Sequence, residues 1–379
     1  MAKKKGPRGL VKEGHLFKKY GAALASQILA EDEERLVIPT RLLAFNHQIG
    51  GGLPYGKILE LFGEESSGKS LLGIDFAYCA QQLGGVVIWV DSEHSLDRYW
   101  AKLNGLNLDR IMLFQESGIE RISDFIADSC LYWRSKLTNN EPILLVIDSI
   151  AALEVLANKN SNHEDGKADM GNRAKQIDKM LRIRHELLHD LGVGTIAINQ
   201  LRSKIGASQF EDPDTTPGGK AMKFYASIRV GVYGGKQIRL KIQGDEEVVG
   251  RVTSIRIKKN KVAPVRKTLK AVPVYFNPDY RVGFEKYFEL PNLLVKLGAV
   301  KRKPKSSRYF DKTGNVIATS EEKFLAILNG NEELRRKLIR KAGITTISTC
   351  QKKLESITKN LYPIGDNKYE KHDEDESGN

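Results

Sequence analysis

The chain holds three cysteines in 379 residues, Cys79, Cys130 and Cys350, odd in number and far apart. That spacing excludes a disulfide framework and a cysteine-rich metal centre, and it suits a reducing compartment such as the cytoplasm. No apolar run reaches the ~18 residues of a membrane-spanning helix, so no membrane partner is expected. The start, MAKKKGPRGLVKEG, is basic but has no apolar segment behind it, which argues against a secretory signal. Internal repeats are missing too. Acid is in deficit: 47 Asp and Glu face 60 Lys and Arg, a formal net charge of +13. The balance points to a polyanionic partner, nucleic acid first, although solubility alone would also account for it.

What is present suffices for a large core. Hydrophobic residues make up 41% and charged residues 28%, a globular composition, and the length allows about two to three domains. Four zones follow one another. Residues 1–40 hold the basic leader and HLFKKYGAALASQILAEDEERL, which reads as a helix with a charged exit. Residues 41–281 alternate strands and helices. VVIWVDS and ILLVIDS are short continuous apolar runs, which suit strands buried on both faces of a largely parallel sheet, and KILELF and VGTIAINQ read as further strands. SLLGIDFAYCAQQLG and MGNRAKQIDKMLRIRHELLHDLG read as helices. YASIRVGVYGG, QIRLKIQ, RVTSIRIKK and KAVPVYFN alternate more and predict antiparallel edge strands. Residues 282–365 carry short helices around the basic KRKPKSSR, and 366–379 form a polar, acidic tail that reads as disordered.

The sharpest motif lies in LFGEESSGKSLL, Leu61 to Leu72. From Gly63 to Ser70 it fits G-x-x-x-x-G-K-[ST], with a strand before it and a helix after it, the context a phosphate-binding loop requires. Gly63 and Gly68 are expected to let the backbone curl so that N–H groups face phosphate oxygens. Lys69 would reach the outer phosphates, and the Ser70 hydroxyl would ligate Mg²⁺. Asp148 ends an apolar strand and suits the magnesium's water shell. Asp91 and Glu93 end another, where a glutamate can polarise an attacking water. The plainer alternative for Asp91 or Asp97 is helix capping. His94 is assigned no role.

These segments resemble the bacterial RecA recombinase family. The loop GEESSGKS, then VDSEHSLDRYWAKLNGLNLDRI, VIDSIAAL, INQLRSKIG, TTPGGKAMKFYASIR and KKNKVAP follow in the family's order and near its spacing, from about residue 41 to 281. RYFDKTGNVIATSEEKFLAIL resembles its small domain. The resemblance implies an α/β fold: a RecA-type P-loop ATPase core with a largely parallel central sheet, an N-terminal helical element and a small C-terminal α+β domain. It implies ATP and Mg²⁺ as cofactors. Gly63, Glu64, Glu65, Ser66, Ser67, Gly68, Lys69, Ser70 and Leu71 would cradle the nucleotide, with Asp97, Trp100 and Gln200, and Ser70 and Asp148 would serve the metal. Trp100 would stack on adenine, and Gln200 would contact the γ-phosphate and report it to the segment that follows.

Catalysis would fall to Glu93 and Lys69, with Lys259 and Lys261 reaching the neighbouring subunit's γ-phosphate. Period-two spacing would put those two lysines on one strand face. Exposed basic residues at a sheet edge also simply discourage aggregation. DNA contacts would come from Met170, Lys175 and Arg182, and from Arg202, Lys204, Phe210, Gly218, Gly219 and Lys220 in a long polar loop. Residues 16–30 would dock on the next subunit. The implied function is a DNA-dependent ATPase recombinase that forms a helical homopolymer on single-stranded DNA and exchanges strands with double-stranded DNA. A hexameric helicase of the same fold is the alternative, and intact Lys69, Glu93 and Asp148 argue against a non-enzymatic filament. Departures from the family pattern are Ser70 for Thr, Trp100 for Tyr, Lys220 for Asn, and Pro217 before the Gly-Gly pair. VYGGK also lacks two arginines of the second DNA site.

Overall fold

The computed structural model describes residues 35–137, 140–155, 166–203, 214–215, 217, 221–242, 244–264 and 268–361. The chain divides into two units, Met1–Leu36 and Val37–Asn379, and the second carries the architecture below. Residues 1–34, with the expected docking element, and the tail 366–379 lie outside the described residues.

The second unit opens with strand β1 (Val37–Ile38), helix α1 (Leu43–Ile49) and strand β2 (Leu53–Pro54), the two strands pairing antiparallel. Strand and helix then alternate: β3 (Ile58–Gly63), α2 (Lys69–Gln82), β4 (Val86–Asp91), α3 (Arg98–Leu103), β5 (Ile111–Phe114), α4 (Ile119–Lys136), β6 (Ile143–Asp148), α5 (Gly166–Asp190) and β7 (Val193–Gln200). Every pairing among these strands is parallel, in the order β3-β7-β6-β4-β5. A short antiparallel pair, β8 (Arg202–Ser203) and β9 (Asp214–Thr215), precedes helix α6 (Ala221–Tyr225). Strands β10 (Ile228–Ile242), β11 (Asp245–Asn260), β12 (Leu269–Asn277) and β13 (Arg281–Phe284) follow. β10 lies parallel to β3, and the rest add antiparallel outside it, completing a nine-stranded mixed sheet. The predicted antiparallel edge is therefore present. Two stretches read separately meet in one 15-residue strand, Ile228–Ile242, with a register shift between Gly234 and Gln237, whereas Tyr225 closes α6.

The continuous apolar runs are explained by burial on both faces. Alternate residues of a strand point to opposite sides. Leu59, Leu61, Val87, Trp89, Leu144 and Val146 pack with Leu72 and Phe76 of α2. Ile58, Val86, Ile88, Val90, Leu145 and Ile147 pack with Ile126 of α4 and Ile177 and Met180 of α5 on the other side. Each such side chain stabilises the fold by about 1.5–3 kcal/mol. Truncation of Trp89, fully buried between sheet and α2, to Ala should cost that layer about 3–5 kcal/mol.

Helix α7 (Leu290–Lys296), strands β14 (Lys301–Arg302), β15 (Tyr309–Phe310) and β16 (Val316–Ala318), and helices α8 (Glu321–Gly330), α9 (Glu332–Lys341) and α10 (Ile347–Leu361) complete the described chain, which has ten helices in all. Leu294, Tyr309, Phe324 and Leu328 form a third apolar cluster here. The parallel strands β3, β4, β6 and β7 end together, with Gly63 opposite Gln200 and Asp91 opposite Asp148. The carboxyl ends of parallel strands are where ligands bind in open α/β sheets.

Candidate functional site

The loop from Gly63 to Ser70 joins β3 to α2, as the motif requires. Its two glycines do different work. Gly68 has φ 102°, a left-handed conformation that only glycine adopts freely. Gly63 is needed for another reason: a Cβ there would stand 1.9 Å from the Val232 carbonyl oxygen of β10. The expectation that both glycines serve backbone curl is corrected at Gly63, where close approach of the next strand excludes a side chain.

Lys69 is 8% exposed, and its Nζ donates to the Gly63 and Glu64 carbonyls at 3.1 and 2.6 Å. Burial pushes its pKa down, and Asp148 and Glu93 push it back. Two braces reach the loop from β11. Thr253 Oγ1 donates to the Ser67 carbonyl at 3.1 Å, and Arg251 Nη1 donates to the Ser66 carbonyl. Sequence reasoning missed both, since nothing in RVTSIRIKK marks them. Ser67 Oγ is buried without a hydrogen-bond partner among the described residues.

Asp148 is buried and accepts a 2.8 Å bond from Ser70 Oγ. Burial raises its pKa to about 6; the Ser70 bond opposes this, and the charges of Glu93 and Asp91 add to it. Ser70 and Asp148 supply the hard oxygens that Mg²⁺ prefers, and a dication would reverse the burial effect. The donor set therefore fits the metal.

Glu93 stands exposed in the turn after β4, where its Oε1 accepts from Ser149 Oγ and, at 3.0 Å, from Gln200 Nε2. Asp91, fully buried, accepts from the backbone N–H groups of Ser95 and Leu96 at 2.9 and 3.2 Å. It pins the turn that presents Glu93. Asp97 caps α3 by accepting from Trp100 N at 3.0 Å, so the capping alternative is realised there. A cavity of about 210 Å³ runs along Ser66 to Leu71 and is walled by Trp100, Arg251, Thr253, Val274 and Phe276. Phe276, 41% exposed on β12, is a second aromatic surface that the sequence alone did not single out.

A family model described as the RecA N-terminal domain matches residues 15–278. The chain belongs to the RecA family. It is 34% identical over 333 residues to Protein RecA of Bifidobacterium longum (strain NCC 2705), covering 86% of this chain and 78% of that one. It is 33% identical over 307 residues to Protein RecA of Bacteroides thetaiotaomicron, covering 81% and 86%. With Protein RecA of Mycobacterium avium (strain 104) it shares 34% identity over 338 residues, covering 88% and 90%.

The remaining residues expected from RecA-family resemblance are placed as follows. Lys259 pairs with Arg229 of β10, three residues before Val232, the partner of Gly63. It therefore sits toward the end of the sheet away from its own phosphate loop. Its Nζ donates to the Lys223 and Phe224 carbonyls at 2.6 and 3.4 Å, and burial, then Lys261, lowers its pKa. Lys261 lies one residue past the end of β11, where its N–H continues the ladder to Ser227 O at 2.9 Å. Lys259 thus lies within β11 and Lys261 just beyond it.

Lys175 and Arg182 are exposed on α5, seven residues apart and so on one side of the helix. Met170 lies on α5 and Arg202 on β8. Lys204, Phe210, Gly218, Gly219 and Lys220 lie outside the described residues.

Proposed function

We propose that the chain is a DNA-dependent ATPase recombinase. It binds ATP with Mg²⁺, assembles head to tail on single-stranded DNA, and pairs and exchanges that strand with a homologous duplex. The observation that carries this reading is the bond from Gln200 to Glu93 at 3.0 Å. Gln200 is the last residue of β7, immediately before the segment that the resemblance assigns to DNA. One side chain thus joins the carboxylate expected to activate water to the chain that would touch DNA.

Lys69 and the loop N–H groups hold the phosphates, and Ser70 and Asp148 hold the metal. The metal, when bound, neutralises phosphate charge. Glu93, steadied by Ser149, takes a proton from the attacking water. Gln200 leaves Glu93 for the outer phosphate when ATP is present, and that move alters the start of the DNA segment. The position of Lys259, away from its own loop, supports a role at the neighbour's site, and head-to-tail contacts of that kind build open filaments. A cytoplasmic setting fits this work, and no helix among the described residues is long and apolar enough to cross a membrane.

Electron microscopy with ATP and single-stranded DNA tests the reading, alongside a strand-exchange assay with a homologous duplex. Long filaments and homology-dependent joints are expected. Closed rings with unwinding and no joints would make the chain a helicase of the same fold.

A further inference from the structure

Arg251 has no counterpart among the residues that the motifs assign. It lies on β11 between Gln237 of β10 and Val274 of β12, half-buried, with its side chain over the phosphate loop. The sheet makes room for it: a Cβ on Gly234 would come within 3.0 Å of its Nη2. Among the described residues its guanidinium makes one hydrogen bond, from Nη1 to the Ser66 carbonyl, and no carboxylate pairs with it. A guanidinium carries several N–H donors in a rigid fork, so one can hold a carbonyl while others face a second acceptor.

The surroundings specify that acceptor. The cavity it lines contains the loop N–H groups, Lys69 and the N-terminus of α2, all favouring negative charge. The buried hydroxyl of Ser67, beside the residue Arg251 grips, also lacks a partner among the described residues. The aromatic residues Trp100 and Phe276 line the same space. A cation placed there without a counter-ion is stabilised by an anionic ligand that also carries a flat ring.

We propose that Arg251 is a second cation for the nucleotide's phosphate chain, acting from β11 across the loop from Lys69 while holding the Ser66 carbonyl. This rests on the nucleotide site proposed above. The contact is made to bound nucleotide before any chemistry, so its loss raises KM for ATP rather than lowering kcat. It serves ADP as well as ATP, and it does nothing for adenosine, which has no phosphate.

The test is equilibrium binding of ADP, ATP and adenosine to the full chain without DNA, for the native protein and for Arg251→Met, Arg251→Lys and Lys69→Met. Arg251→Met is expected to weaken ADP about tenfold or more, the usual size of a lost charge-assisted contact. Adenosine should bind as before, and Arg251→Lys should fall between. Thermal melting without nucleotide separates a folding defect from a binding one. Equal weakening of ADP and adenosine, or unchanged ADP affinity in Arg251→Met, overturns the assignment. If Lys69→Met also leaves ADP affinity intact, the nucleotide site itself is misplaced; if only Arg251→Met is neutral, the failure belongs to Arg251 alone.

Discussion

Asn199 donates to Glu60 and to the Pro217 carbonyl with the same amide nitrogen, at 3.1 and 3.0 Å. Glu60 in turn pairs with Arg229, and both charges are buried. The next residue, Gln200, reaches Glu93 on the other side of β7. Two adjacent residues at one strand end therefore tie the far end of the loop segment to a buried ion pair and the near end to the carboxylate expected to act as general base.

The ion pair gives the first prediction. Glu60→Ala leaves the Arg229 charge buried without a partner and should cost about 3–5 kcal/mol. Glu60→Met combined with Arg229→Met should recover most of that, because both charges leave together. Urea unfolding of the two variants checks this, and a double variant no more stable than Glu60→Ala would mean that the pair is not the source of the loss.

The two loop glycines should respond differently. Gly63→Ala forces β3 from β10 and should cost about 3 kcal/mol or more. Gly68→Ala meets its nearest side-chain atom, Phe284 Cζ, at an ordinary 3.7 Å. It pays chiefly for the left-handed backbone, about 1–2 kcal/mol. Thermal unfolding should rank them in that order, and the reverse ranking would contradict the packing at Val232.

Lys69→Ala should lose ATP binding and turnover together. Glu93→Ala should keep binding and lose turnover by about a hundred- to ten-thousandfold, the range for a general base. Binding by calorimetry and hydrolysis with DNA separate the two, and equal loss of affinity in both variants would end this division of labour.

Legibility followed burial. β7 spans Val193–Gln200, the same residues as the stretch VGTIAINQ, because burial runs unbroken from Val193 to Asn199 and sets it apart from its neighbours. β10 was harder: Gly234 and Gly235 resemble a turn, yet the strand passes through them with a bulge. At the site, Lys69, Ser70, Asp148 and Glu93 were legible because each stands at a strand end or in a motif. Thr253, Arg251, Phe276 and Asn199 were not. Their roles depend on which strands become neighbours, and periodicity reports the face of a strand but not the strand beside it.

Shared sites provide the last prediction. Glu93→Ala and the double variant Lys259→Ala with Lys261→Ala should each be inactive in DNA-stimulated hydrolysis. Mixed equally on single-stranded DNA, roughly a quarter of the sites would combine Glu93 from one subunit with both lysines from the next. Hydrolysis should reappear once filament assembly has been verified. A mixed filament no more active than its parents would remove the lysines from the neighbour's site.

Strand order also governs when a nucleotide can matter to the newborn chain. β3 bears the phosphate loop yet pairs with β7 on one edge and β10 on the other, both made much later. Thr253, Arg251 and Phe276 leave the ribosome after those partners. A nascent chain thus displays the loop long before the cavity beside it is walled, since Thr253 and Arg251 of β11 and Phe276 of β12 come last among its lining residues.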